Sequence, residues 1–275
     1  MMTTSLVVRG VTFDLDDTLW CGQTVIYKAS TAFHAFLAEK TPQLANKFPP
    51  TTFDALLMEF QRSIPDKAHD YTFLREYTLR YCVKVCGAQN LQLEDHMQLE
   101  TFLNAALRAF LVPRSQPRLF DGVENLFQAL EPEIKRCEDL SPVMGVITNG
   151  NCEMDKLPRY FQQYMNFVVS AELVGTAKPN QEIFDAAIAK FPAVFNRQQI
   201  VHVGDHYKCD VEGAKRAGLR TVWVNAKWTK PDVLTRAELS PEDAEQYAAA
   251  DAIVKKVNAV LLVVKHWNML AALSE

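Results

Sequence analysis

The chain has 275 residues, 48% hydrophobic and 23% charged, a balance that excludes a disordered chain and is enough for a sizeable buried core. Its net charge of −4 argues against a nucleic-acid or anionic-membrane partner, since both select a basic excess. The six cysteines (21, 82, 86, 137, 152 and 209) form no CxxC pair and no zinc-ligand spacing, which points to reduced thiols in the cytoplasm.

In chain order, MMTTSLVVRG lacks the basic stretch and long apolar run of a signal peptide. Short apolar, β-branched runs predict strands over 7–14, 143–148, 166–170, 200–204, 221–225 and 251–254. Helical periodicity appears between the later strands at 152–163, 180–190, 210–217 and 255–270. Such alternation of nearly continuous apolar strands with helices implies an α/β fold, a Rossmann-like parallel sheet covered on both faces. The stretch 22–118 breaks the alternation with helical patterns at 25–40, 52–63, 71–86 and 92–111, and ends near Pro113 and Pro117. The expected organisation is therefore a core of 1–21 and 119–275 carrying an all-helical insertion over 22–118. The apolar run VNAVLLVV, 257–264, is far short of a membrane span, so no membrane partner is expected.

Chemistry gathers at the predicted strand ends, where open α/β sheets bind ligands. The first strand runs into Asp14, Asp16, Asp17 and Thr18; the second ends in Thr148-Asn149-Gly150; the strand at 200–204 is followed by Asp205, with Asp210 five residues later. Lys178 lies in the loop AKPN just before a helix. Several carboxylates on one rim suit a hard, oxygen-preferring cation such as Mg²⁺, and a phosphate there would meet the cation, a lysine, a hydroxyl and loop N–H groups.

DLDDT, TNG, KP and GDHYKCD, in this order and at these strand ends, resemble the four motifs of the haloacid dehalogenase (HAD) superfamily. The resemblance implies Asp14 as nucleophile and Mg²⁺ ligand, and Asp16 as general acid/base whose carbonyl also binds the metal. It further implies Thr148, Asn149 and Gly150 around the phosphoryl oxygens, Lys178 neutralising charge, Asp205 as metal ligand, and Asp210 supporting the metal shell or orienting Lys178. Asp17 stands where the family often has Gly, and its purpose is left open. Dehalogenases proper lack an acid at the place of Asp16 and need no leaving-group protonation, so Asp16 argues for phosphate-ester chemistry.

The insertion resembles the C1-type helical cap of the superfamily. Only 27 residues separate Gly150 from Lys178, too few for the larger α/β cap of other members. Within it, Arg75 and the tyrosines of HDYTFLREYTLRYC are candidates for substrate contact, against the alternative of an amphipathic helix with solvated arginines. Trp20 either lines the pocket entrance or packs beneath the insertion. FDLDDTLW, TNGN and HVGDHYKCDVEGAKRAG are most similar to bacterial HAD phosphatases acting on FMN and a riboflavin-pathway phosphate. The expected partner is a small phosphorylated metabolite; nucleotide and sugar phosphates, acylneuraminate 9-phosphate among them, remain open, as do a phosphomutase, a dehalogenase, an inactive binding protein and a protein phosphatase. A monomer or homodimer is expected.

Overall fold

The computed structural model describes residues 7–134, 141 and 143–273; Cys137 and the first six residues lie outside them. The chain divides into two compact units, one of residues 1–21, 118–149 and 158–275, the other of 22–117 and 150–157.

The first unit is built on six parallel strands: β1 (Gly10–Phe13), β2 (Met144–Thr148), β3 (Phe167–Ser170), β4 (Ile200–Gly204), β5 (Arg220–Val224) and β6 (Ala252–Val254), in the order β3-β2-β1-β4-β5-β6. Strands β1, β2, β4 and β6 are buried along their whole length, as sheet strands covered on both faces must be. The helices of this unit are α6 (Val123–Ile134), α7 (Arg159–Tyr164), α8 (Ala171–Val174), α9 (Gln181–Ile188), α10 (Gly213–Arg216), α11 (Pro241–Gln246) and α12 (Val260–Ala272). Phe13 meets Phe127 of α6, which in turn meets Phe161 of α7, while Ile147 and Val169 pack with Ile183 and Phe184 of α9 and Ala214 of α10.

All six expected strands are present: β4 over its expected range, β5 shifted by one residue, and the others trimmed by one to four residues. Three expected helices differ in detail. The one over 152–163 is cut by Pro158, which leaves a 3₁₀ turn at Met154–Lys156 and then α7. That over 210–217 begins as a π-helical turn, Tyr207–Glu212. The last begins as a 3₁₀ turn, Val257–Ala259. Helix α6 is not among the expected helices, although Val123, Leu126, Phe127, Leu130 and Ile134 are buried at helical spacing.

The second unit holds α1 (Gly22–Lys40), α2 (Pro42–Lys47), α3 (Pro50–Ser63), α4 (Tyr71–Cys86) and α5 (His96–Arg114). Asp70 accepts the N–H of Phe73 at 2.8 Å to start α4, and Asp95 accepts those of Met97 and Gln98 to start α5. Its core is formed by Phe33, Leu37, Phe53, Leu79, Phe102, Leu103 and Phe110. Residues 150–157 are tied to these helices by three contacts: Asn151 Nδ2 to Thr72 Oγ1 at 3.1 Å, the Glu153 N–H to Ser115 Oγ at 2.8 Å, and Arg108 Nη1 to Glu153 Oε1 at 2.6 Å. No helix of the described residues is long and apolar enough to cross a membrane.

Candidate active site

The sheet order reverses between β1 and β4, which opens a crevice at their carboxyl ends. Parallel pairing sets Phe13 level with both Val146 and Val203, so the residues just past all three strands share one rim. The Asp14 N–H donates to the Val203 carbonyl at 2.8 Å, continuing the β1–β4 ladder up to Asp14 itself.

Lys178 is the centre of the charge arrangement. Its Nζ lies 2.6 Å from Asp14 Oδ1, 2.6 Å from Asp210 Oδ1 and 2.7 Å from the Ile147 carbonyl, and its side chain is 2% exposed. The backbone of Lys178 is held by Asn149: the Lys178 N–H donates to Asn149 Oδ1 at 2.8 Å and Asn149 Nδ2 donates to the Lys178 carbonyl at 3.1 Å. Asn149 thus fixes the lysine to the end of β2 through its side chain, a role its place in TNG does not reveal.

Asp210 lies at the back of the site with both oxygens engaged. Oδ1 faces Lys178 and His202 Nε2 at 3.4 Å, and Oδ2 accepts the His206 N–H at 2.9 Å. Of the two roles left open for Asp210, this geometry matches the orientation of Lys178. A Cβ on Gly204 would stand 2.3 Å from the Asp210 carboxyl carbon, so only glycine leaves room for Asp210 to fold back over β4. His202 completes the chain inward, its Nδ1 lying 2.9 Å from Thr12 Oγ1. Neither His202 nor Thr12 was read from sequence as a site residue; the signal was a histidine inside the otherwise apolar strand IVHVG.

Asp205 is half-buried; its Oδ1 accepts from Thr18 Oγ1 at 3.2 Å and its carbonyl from Trp223 Nε1 at 2.8 Å. Thr148 is buried at the tip of β2, and Gly150, also half-buried, groups with the helical unit. Asp16 Oδ1 accepts the indole N–H of Trp20 at 2.8 Å, and Trp20 is fully buried. Arg75, on α4, lays its guanidinium 3.5 Å from the Phe110 ring centroid and 5.7 Å from that of Phe33, with Nε buried and without a hydrogen-bond partner; burial pushes its pKa down to about 10. Cys209 is half-buried, and burial pushes its thiol pKa up, which does not favour a reactive thiolate.

Asp17 has a positive φ of 60°, and its N–H donates to the Trp20 carbonyl at 2.7 Å. That left-handed turn explains why glycine suits this position and why aspartate, with its short polar side chain, is tolerated there. Asp17→Ile is expected to cost about 1–2 kcal/mol in urea unfolding, and Asp17→Gly to be neutral or mildly stabilising.

Asp14, Asp205 and Asp210 present carboxylate oxygens all within 4.8 Å of one another. One lysine cannot balance three carboxylates. Burial, together with Asp210 and Asp205, pushes Asp14 up to about 8 despite Lys178, and burial with Asp210 and Asp17 pushes Asp205 up to about 6. At Asp210 burial also acts upward, but Lys178 and His202 outweigh it and hold its pKa below the ordinary value. Burial likewise disfavours a charged Lys178, yet Asp14 and Asp210 keep it protonated. The excess negative charge at one oxygen-lined spot fits a divalent cation held by Asp14 and Asp205.

This charge balance sets a pH dependence. Asp14 has a folded pKa above its ordinary 3.8, so its contribution to stability is complete below 3.8 and is lost progressively as pH rises from there to about 8. Burial lowers the His202 pKa below 6.5, and its opposite contribution is complete once pH exceeds that value. Metal-free protein should therefore lose Tm as pH rises from about 6.5 to 8, and saturating Mg²⁺ should remove most of that slope. Thermal melts in EDTA and in Mg²⁺ test this; a flat metal-free profile would contradict it.

The family model of the haloacid dehalogenase-like hydrolases matches residues 8–218, which takes in Asp14, Asp16, Thr148, Lys178, Asp205 and Asp210. The chain belongs to that family. Among HAD-like proteins it is 32% identical over 142 residues to pyrimidine 5′-nucleotidase YjjG of Escherichia coli, a match covering 50% of this chain and just over half, 56%, of that protein. It is 27% identical over 219 residues to the E. coli 5-amino-6-(5-phospho-D-ribitylamino)uracil phosphatase YigB, covering 79% of this chain and 83% of that one. A solved structure of a 2-haloacid dehalogenase from Pseudomonas syringae pv. Tomato DC3000 matches with a TM-score of 0.74 at 27% identity, covering 95% of this chain and 100% of the other.

Proposed function

We propose that this HAD-like hydrolase is a Mg²⁺-dependent phosphatase that cleaves a small phosphomonoester through a phosphoryl group carried on Asp14. The observation that carries the reading is the Asp14–Lys178–Asp210 arrangement beside Asp205, a cluster whose surplus negative charge suits a cation and, with it, a phosphate.

Asp14 attacks phosphorus and the bond to the leaving oxygen breaks, with Asp16 giving its proton to that oxygen. Asp16 then takes a proton from water as the water oxygen attacks the phosphorus on Asp14; phosphate leaves and Asp14 is regenerated. Lys178 neutralises Asp14 and the incoming phosphoryl oxygens, while Thr148, Asn149 and Gly150 offer them hydrogen bonds. Mg²⁺, held by Asp14, Asp205 and the Asp16 carbonyl, would supply charge neutralisation at the phosphoryl oxygens. The helical unit would serve as a C1-type cap.

The likeness to YigB favours a ribityl phosphate, FMN included, and the likeness to YjjG keeps pyrimidine nucleoside monophosphates in view. The Pseudomonas structure favours a second reading, haloacid dehalogenation. Asp16 weighs against it, because a departing halide needs no proton.

Purified protein with Mg²⁺ should release phosphate from p-nitrophenyl phosphate, lose this in EDTA and regain it when Mg²⁺ is restored. A panel of phosphorylated metabolites that includes FMN and ribityl phosphates then ranks substrates by kcat/KM. Chloride release from 2-chloropropionate with no phosphate release would turn the assignment to the dehalogenase.

A further inference from the structure

We infer that Trp223 is a positioning residue for the metal ligand Asp205: its indole N–H holds the Asp205 carbonyl and so sets how tightly the site takes Mg²⁺. The inference rests on the Mg²⁺-dependent reading above and deepens it.

Trp223 lies on β5 in register with Gly204, the residue before Asp205, and its Nε1 stands 2.8 Å from the Asp205 carbonyl oxygen. An indole nitrogen only donates, so this contact is a hydrogen bond to the main chain of Asp205. The N–H of the same peptide group, that of His206, donates to Asp210 Oδ2 at 2.9 Å. Both polar ends of the peptide that follows Asp205 are therefore fixed, the carbonyl by an indole from β5 and the N–H by a carboxylate from the π-helical turn. One further bond steadies the carboxylate itself, from Thr18 Oγ1 to Oδ1 at 3.2 Å.

The indole is held in turn. Its ring centroid lies 4.9 Å from that of Tyr207 and 5.1 Å from that of Tyr247, and those two rings lie 5.8 Å apart. Tyr247 also meets Trp228 at 5.8 Å, and the Tyr207 hydroxyl accepts the N–H of Ala249 at 3.2 Å. The cluster joins the turn after β4, strand β5 and the long connection that leads to β6, all within the first unit. Edge-to-face and tilted pairs of this kind favour one ring orientation, so the N–H stays aimed at one oxygen.

Mg²⁺ demands near-octahedral oxygen ligands at close to fixed distances, whereas Ca²⁺ accepts a looser shell. A peptide released to rotate carries the Asp205 carboxylate with it, and the stricter ion loses more. Trp223 is uncharged and stands outside the three clustered carboxylates. Loss of its N–H therefore alters where Asp205 stands and leaves the charge of the site as it was.

The test is calorimetric titration of the metal-free protein with Mg²⁺ alone and with Ca²⁺ alone, for wild type, Trp223→Phe and a variant carrying 3-benzothienylalanine at position 223. The first variant removes the N–H together with some volume; the second keeps the shape of indole and replaces its N–H by sulfur. Both should raise the Kd for Mg²⁺ by about tenfold and the Kd for Ca²⁺ by no more than about threefold. Wild-type Mg²⁺ affinity in the benzothienyl variant would give Trp223 a packing role only and overturn the inference. Equal weakening of both cations would overturn it as well. Should Trp223→Phe fail to fold, the benzothienyl variant decides alone. Absence of Mg²⁺ binding by the wild-type protein would instead overturn the Mg²⁺-dependent reading, and the inference with it.

Discussion

Asp14→Asn is expected to lower phosphate release by about a thousandfold or more while the protein stays folded. The amide nitrogen and oxygen do not attack phosphorus, and no neighbouring carboxylate occupies the same place at the end of β1. The fold should survive because Lys178 keeps its other two partners, Asp210 Oδ1 at 2.6 Å and the Ile147 carbonyl at 2.7 Å. A second readout separates loss of the nucleophile from general damage. Since Asp14 is the group pushed up to about 8, the metal-free variant should also lose the fall in Tm between about pH 6.5 and 8. Wild-type turnover in Asp14→Asn would rule out Asp14 as the nucleophile.

Lys178→Met is expected to cost about 3–5 kcal/mol in urea unfolding at neutral pH. The methionine matches the lysine in length but leaves Asp14 and Asp210 with no cation between them, in a place where the Lys178 side chain is 2% exposed. Turnover should fall as well, since the phosphoryl oxygens lose the same cation. A variant with the wild-type urea midpoint would mean that the lysine is not what holds the two carboxylates together.

The parallel sheet was legible because its strands are buried on both faces and read as unbroken apolar runs, such as VMGVIT and IVHVG. The candidate site was legible for a related reason: parallel strands align their carboxyl ends, so polar residues that follow each run must meet. Helix boundaries were harder. Pro158 divides one expected helix, and the turn at Tyr207–Glu212 is π-helical, an adjustment that periodicity in so short a segment does not resolve. Helix α6 is not among the expected helices although its buried residues carry the helical pattern.

Sequence by itself determined the alternation of strands and helices, the long helical insertion, and the roster of Asp14, Asp16, Thr148, Lys178, Asp205 and Asp210 at strand ends. Those follow from local pattern and from spacing along the chain. Only the tertiary structure decided how the groups share work: Lys178 bridging Asp14 and Asp210, Asn149 clamping the lysine's backbone, His202 and Thr12 backing Asp210, and Trp20 held against Asp16. Each of these joins positions far apart in the chain except the His202–Asp210 contact, across eight residues, and the Trp20 contact, across four. Even the latter depends on a left-handed turn at Asp17 and on burial of the indole. Hydrogen bonds and pKa shifts depend on distance and exclusion of water, quantities that a list of residues does not contain until the chain has folded.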